Sequence, residues 1–241
     1  MGALDGRRLL VTGAGKGIGQ TIAVELASQG ASVCVHTSRT DPAETLALVG
    51  DGAVAVRGDL SRADECLRVV DDAAAALGGL DGLVNNAGLT RRIPFEATSP
   101  EDIDLLLALN FRGYFLCAQR AVRHFGDGGA VASVSSIHGQ AGLPNFSAYA
   151  ATKGAIEAWT RALAVELAPA VRVNAVAPGV IEVERTRAEP GYEPARFGQS
   201  IPAGRVGSPE DVAPAVAFLV SDACTFVTGR PGSWTEAPQR G

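Results

Sequence analysis

Leu9-Leu10-Val11-Thr12-Gly13-Ala14-Gly15-Lys16-Gly17-Ile18-Gly19 is the stretch on which the fold turns. Leu9-Leu10-Val11 is a short apolar run closed by turn residues, the pattern of a strand buried in a parallel sheet. The glycines follow directly, and a helical pattern runs from Gln20 to Gln29. Strand, glycine turn and helix in that order aim backbone N–H groups and a helix dipole at one point, which suits a pyrophosphate. The glycines do not fit G-x-G-x-x-G, because the required positions fall on Ile18 or Gln20. They fit T-G-x-x-x-G-x-G instead.

Outward from this unit, further strands are expected at residues 31–36, 54–60, 80–88, 130–135 and 171–176, with helical patterns between them. Ser61 is expected to cap a helix reaching Leu77. Ser99-Pro100-Glu101-Asp102 and Ser208-Pro209-Glu210-Asp211 carry helix-start chemistry: a serine cap, proline at the first position and acids in the first turn. Strands alternating with helices at this interval give one α/β domain, a doubly wound parallel sheet of Rossmann-like type spanning residues 1–241. Ligands in such sheets sit beyond the carboxyl ends of the strands. The glycine turn, Asn85, Ser136 and Pro178 all fall there.

With 241 residues, 46% hydrophobic and 20% charged, the chain can bury a sizeable core as an ordinary globular protein. Its net charge of -5 argues against a nucleic-acid partner or a polybasic membrane patch. No apolar run reaches transmembrane length, and no secretory leader is expected from the polar opening residues. The four cysteines (Cys34, Cys66, Cys117, Cys224) are scattered without zinc spacing, so no metal site is expected, and they fit a reduced cytoplasmic protein.

The chemistry is expected at Ser136-Ile137-His138-Gly139 and Tyr149-Ala150-Ala151-Thr152-Lys153. Tyr149 and Lys153 are four apart, so on a helix both rise from one face. A phenol begins near pKa ~10, and using it as acid and base near neutrality requires lowering it by about three units, or about 4 kcal/mol. An ammonium ~4 Å away supplies about that much at an effective dielectric of ~20. Ser136 can then hydrogen-bond a substrate oxygen while Tyr149 moves the proton. Alone, such a pair is weak evidence, because any amphipathic helix can carry one. The upstream motifs give it weight.

Taken together, residues 5 to 229 resemble the classical short-chain dehydrogenase/reductase family, of the 3-oxoacyl-reductase and glucose-dehydrogenase kind. The match comprises Thr12-Gly13-x-x-x-Gly17-x-Gly19, Asn85-Asn86-Ala87-Gly88, Asn110, Ser136, Tyr149-x-x-x-Lys153 and Asn174-x-x-x-Pro178-Gly179. The resemblance implies hydride transfer between a nicotinamide cofactor and a small ketone or secondary alcohol. It implies Asn110, Ser136, Tyr149 and Lys153 as the catalytic set, Asn110 holding a relay water, and Lys153 also holding the nicotinamide ribose. For the cofactor it implies Gly13, Gly15, Lys16, Gly17, Ile18, Gly19, Asp59, Leu60, Asn86, Ala87, Gly88, Pro178, Gly179 and Ile181. It also implies a homo-oligomer, tetramer or dimer, and a substrate lid over residues 182–204.

An acidic residue closing the second strand would bind an adenosine ribose and repel a 2′-phosphate. Thr37, Ser38 and Arg39 stand there, and Lys16 sits in the glycine turn. Two cations and two hydroxyls suit a phosphate, which favours NADP(H), with NAD(H) still open. His138 and Arg91-Arg92 lie near the expected pocket, as substrate contacts or as ordinary loop residues.

Two departures stand out. Val183 occupies a position where the family carries a cofactor-binding threonine, with Thr186 a candidate substitute. The larger departure is residues 230–241, which lack strand alternation and carry Pro231 and Pro238, so an altered or missing seventh strand is expected. Ser233-Trp234-Thr235-Glu236-Ala237 can be encoded TCG-TGG-ACG-GAG-GCN, and reading from the third base gives Val-Asp-Gly-Gly, the family's usual ending. The tail therefore reads as a frameshift that weakens subunit assembly. On that basis a cofactor-binding protein with impaired catalysis is the alternative function.

Overall fold

The computed structural model describes residues 2–189 and 191–234. The first half of the chain alternates strand and helix: β1 (Arg8–Val11), α1 (Gly17–Ser28), β2 (Ser32–Thr37), α2 (Ala43–Val49), β3 (Val54–Arg57), α3 (Ala63–Leu77) and β4 (Leu80–Asn85). A long helical run follows, α4 (Pro100–Leu107) and α5 (Gly113–Ala121), joined by a π-helical turn at Ala108–Arg112. Then come β5 (Phe125–Val134), a 3-10 turn at Ile137–Gly139, α6 (Ser147–Leu167) and β6 (Val171–Pro178). The last elements are α7 (Glu184–Arg187), α8 (Pro194–Gln199), α9 (Pro209–Val220) and β7 (Pro231–Trp234).

The strands form one parallel sheet in the order β3-β2-β1-β4-β5-β6-β7. The chain winds outward from β1 to β3, then crosses back to place β4 on the other side of β1. That reversal opens a crevice at the carboxyl ends of the two strands. Alternate strand residues feed two cores. Leu9, Val11, Val33 and Val35 pack with Ile22 and Leu26 of α1 and Val212 and Val216 of α9. Leu10, Cys34, Leu83 and Val131 pack with Val69 and Val70 of α3 and Cys117 and Ala118 of α5. Both faces are therefore covered, as the continuous apolar strands require.

Both serine–proline helix starts form as expected. Ser99 and Asp102 make a reciprocal capping box on α4, and on α9 the Asp211 carboxylate accepts from the Ser208 backbone N–H at 2.7 Å. Ser61 does not cap α3, which is flanked by Arg62. The Ser61 amide and hydroxyl donate instead to Asp59 Oδ1, at 3.0 and 2.7 Å, a local turn that outcompetes the helix for the serine.

The expectation of a missing seventh strand is corrected. Four residues pair in parallel with β6, Ala175 opposite Pro231 through Pro178 opposite Trp234. Two side chains steer the chain there: Thr228 Oγ1 accepts from Val173 N–H at 3.0 Å, and Asn174 Nδ2 donates to Val227 C=O at 2.8 Å. Proline is tolerated because it opens the strand at the sheet edge, where no second neighbour requires its missing donor. The strand is altered nonetheless, being four residues long and led by proline. The remainder of the tail, residues 235–241, lies outside the described residues, as does Pro190 of the expected lid.

Candidate active site

The expected residues converge on one cleft of about 1150 Å³ at the carboxyl ends of the strands. It runs from Thr37, Ser38, Arg39, Asp59 and Leu60 past the glycine turn and Asn86-Ala87-Gly88 to Ser136, Tyr149, Lys153, Pro178, Gly179 and Ile181. Asn110 stands behind the wall, fully buried.

The glycine turn is a cradle closed by backbone. A Cβ on Gly13, where φ is +65°, would sit 2.7 Å from Ala87 Cα. A Cβ on Gly19 would sit 2.3 Å from Gly13 O. Asn86 Nδ2 ties the turn in place by donating to Thr12 C=O at 3.0 Å and Gly13 C=O at 3.1 Å. Thr12 Oγ1 in return accepts from Asn86 and Ala87 N–H. The small residues and converging amides fit a dinucleotide pyrophosphate, and the buried Thr37 hydroxyl has no partner among the described residues. Lys16 is engaged by Glu184 of α7 at 2.8 Å, so this segment lies over the turn, with Val183 beside Gly17. Thr186 donates to Ile181 C=O at 3.0 Å rather than standing free.

At the other end, the helix period puts Tyr149 and Lys153 on one face of α6, both buried. Lys153 Nζ donates to Val134 C=O at 2.8 Å and lies 5.7 Å from the centre of the Tyr149 ring. Burial pushes the Tyr149 phenol up; Lys153, with the nearby Thr90 and Ser136 hydroxyls and the charge of Arg185, more than offsets it and leaves the group below its ordinary value. Burial likewise lowers Lys153, only partly opposed by Tyr149. The Asn110 amide braces two elements: Nδ2 donates to Leu89 C=O at 2.8 Å and to Thr152 Oγ1 at 3.2 Å, and Oδ1 accepts from Leu89 N–H at 2.8 Å. Its π-helical turn is the sort of backbone irregularity that gathers at working sites.

The sequence profile described as Enoyl-(Acyl carrier protein) reductase matches residues 13–231. The chain belongs to the short-chain dehydrogenase/reductase family. An uncharacterised oxidoreductase of Methylorubrum extorquens is 38% identical, covering 95% of this chain and 96% of that protein. A hydroxynaphthalene reductase-like protein of Metarhizium majus is 36% identical, covering 95% and 93%. A short-chain dehydrogenase of Burkholderia cenocepacia, solved in complex with NADP, superposes with a TM-score of 0.90 at 33% identity, covering 96% and 97%. This short-chain dehydrogenase/reductase is thus an oxidoreductase of the NAD(P)-dependent class. Among its described residues no helix is long and apolar enough to cross a membrane, and no side-chain cluster could hold a metal ion.

Several supporting residues of this dehydrogenase/reductase escape sequence reasoning. Thr90 reaches Tyr149 from the loop after β4. Glu157, one turn beyond Lys153 and 5% exposed, accepts from Ser135 Oγ at 3.3 Å and from Gln140 Nε2 at 3.1 Å. It thereby bolts both flanks of the Ser136 turn to α6. The tyrosine–lysine spacing, extended by one more helical turn, was the available signal.

His36 is the other. Its Nδ1 accepts from Gly13 N–H at 3.1 Å, so Nε2–H donates to Gly58 C=O, also at 3.1 Å. The ring clips the glycine turn to the end of β3. Burial lowers its pKa from 6.5 to about 4. The unfolded chain therefore takes up a proton that the folded chain refuses, and stability falls as pH drops from 6.5 towards 4. The expected loss is about 2–3 kcal/mol between roughly pH 7 and pH 4.5, beyond that of a His36→Asn variant. Urea unfolding of both proteins at the two pH values measures it; equal losses would refute it.

Proposed function

We propose that this enzyme interconverts a ketone and a secondary alcohol with NADP(H), Tyr149 moving the proton. The observation that carries the reading is the buried Tyr149, beside Lys153 and Ser136 on the floor of a cleft whose far end is a glycine cradle. When bound there, the nicotinamide supplies or accepts the hydride. The chain does the rest. Gly13, Gly15, Gly17, Ile18, Gly19 and Asn86-Ala87-Gly88 hold the pyrophosphate side, Asp59 and Leu60 the adenine, and Pro178, Gly179 and Ile181 the nicotinamide side.

Tyr149 donates its proton to the substrate oxygen in reduction and takes it back in oxidation, while Ser136 hydrogen-bonds that oxygen. Lys153 stabilises the tyrosinate, and the Asn110 turn secures the helices between which the proton is resupplied. Leu143, Pro144, Phe146, Tyr192 and Phe197 give the substrate end an apolar wall. That wall and the hydroxynaphthalene reductase-like relative both suit a cyclic or aromatic ketone. Exposed Phe115 and Val165 on α5 and α6 support a homo-oligomer, dimer or tetramer. The pairing of a seventh strand with β6 favours this reading over the impaired-catalysis alternative.

The cofactor choice rests on Arg39, Thr37 and Ser38 at the cleft's adenosine end, with Lys16 available once Glu184 releases it. NADPH is expected to bind about tenfold or more tighter than NADH, and Arg39→Ala to remove most of that difference while leaving NADH affinity unchanged. Fluorescence titration and thermal shift measure both. Equal affinities in the unaltered protein would overturn the NADP(H) reading.

A further inference from the structure

Ser136 Oγ has one hydrogen to give and two lone pairs to fill. The His138 backbone N–H donates to it at 3.3 Å, and His138 Nδ1 lies 3.1 Å from the same oxygen. Two arrangements satisfy this pair. With Nδ1 bare, the serine hydrogen goes to the imidazole, and nothing remains for a substrate oxygen. With the hydrogen on Nδ1, both serine lone pairs receive donors and the hydroxyl hydrogen is free to turn into the cleft.

The other end of the ring decides between them. Nε2 is buried without a partner among the described residues. The ring is packed 4.6 Å from Phe146 and 5.5 Å from Tyr149, centre to centre. A buried N–H left without an acceptor is rarer than an acceptor left short of donors, so the bare nitrogen belongs at Nε2 and the hydrogen at Nδ1. Burial also holds the ring below the ordinary histidine value, which keeps it neutral.

We propose that His138 is a positioning residue for Ser136: its Nδ1–H and its backbone N–H fill both serine lone pairs, which directs the serine hydrogen to the substrate carbonyl. The inference rests on the reading that Ser136 hydrogen-bonds the substrate oxygen. His36 provides an internal reference, because its bonds to Gly13 and Gly58 demand the opposite tautomer, Nε2–H.

Two measurements test it. The chain has three histidines, so two-bond proton–nitrogen correlation spectra of the full-length, histidine-labelled protein resolve each ring. The His138 signals are assigned by their absence from His138→Asn. Nδ1–H at His138 beside Nε2–H at His36 is expected; Nε2–H at His138 overturns the proposal. In steady-state kinetics with NADPH and a reducible ketone, His138→Ala should lower kcat about tenfold at unchanged KM and unchanged NADPH affinity. His138→Asn, whose amide N–H falls where Nδ1 was, should recover to within about threefold, whereas His138→Gln should not. Full turnover by Ser136→Ala would sink the serine reading itself. Slow Ser136→Ala with fast His138→Ala, or rescue by glutamine in place of asparagine, would sink this inference alone.

Discussion

Tyr149→Phe is expected to reduce ketone turnover about 10³-fold, the scale of a positioned general acid, while NADPH affinity and melting temperature stay unchanged. The phenol is buried, so solvent cannot substitute for its proton, and the ring that fills the site is retained. Lys153→Ala gives the companion result. Burial alone pushes the phenol up, and the ammonium is the foremost influence pulling it down. Removing Lys153 therefore raises the Tyr149 pKa, and the rise of alcohol oxidation with pH should move to higher pH. Stopped-flow rates and a pH profile measure the pair. A Tyr149→Phe enzyme retaining a tenth of its turnover would discard Tyr149 as the proton donor.

Gly19→Ala is expected to be the most damaging small substitution in the cofactor end. The added methyl would meet Gly13 O at 2.3 Å and Asn86 Nδ2 at 2.4 Å, and the former is backbone that cannot swing away. Forcing it in should cost about 2 kcal/mol, or roughly 5 °C in melting temperature, and weaken NADPH binding at least about tenfold. Gly126→Ala is the matched control, since nothing lies within 4 Å of a Cβ there. Thermal melts with and without NADPH separate the two effects. Gly19→Ala behaving like Gly126→Ala would show that the cradle yields more readily than its packing implies.

Much of the site was readable because its spacing is local. Tyr149 and Lys153 share a face by helical period, the glycine turn follows its strand without a gap, and Ser99 and Ser208 announce their helices through residues three positions away. Ser61 shows the limit of the same rule: Asp59, two residues upstream, captured the serine before the helix could. Thr90 and His36 were illegible for another reason. Each works on a residue brought to it by the sheet, and nothing in its own neighbourhood marks it.

The seventh strand divides the two kinds of information most clearly. Its residues carry no alternation and begin with proline, so by local pattern they do not form a strand. Asn174 and Thr228, 54 positions apart in sequence, deliver the chain to an open edge, and backbone pairing does the rest. The amino-acid sequence by itself determined the parallel α/β plan, the dinucleotide turn and the tyrosine–lysine pair, because helix and strand periods act over a few residues. Only the tertiary structure decided which donors meet which acceptors: Asn86 on Thr12, His36 on Gly13, Glu184 on Lys16. Hydrogen bonds and ion pairs depend on ångström-scale approach between distant segments, and that approach exists only once both faces of the sheet are packed.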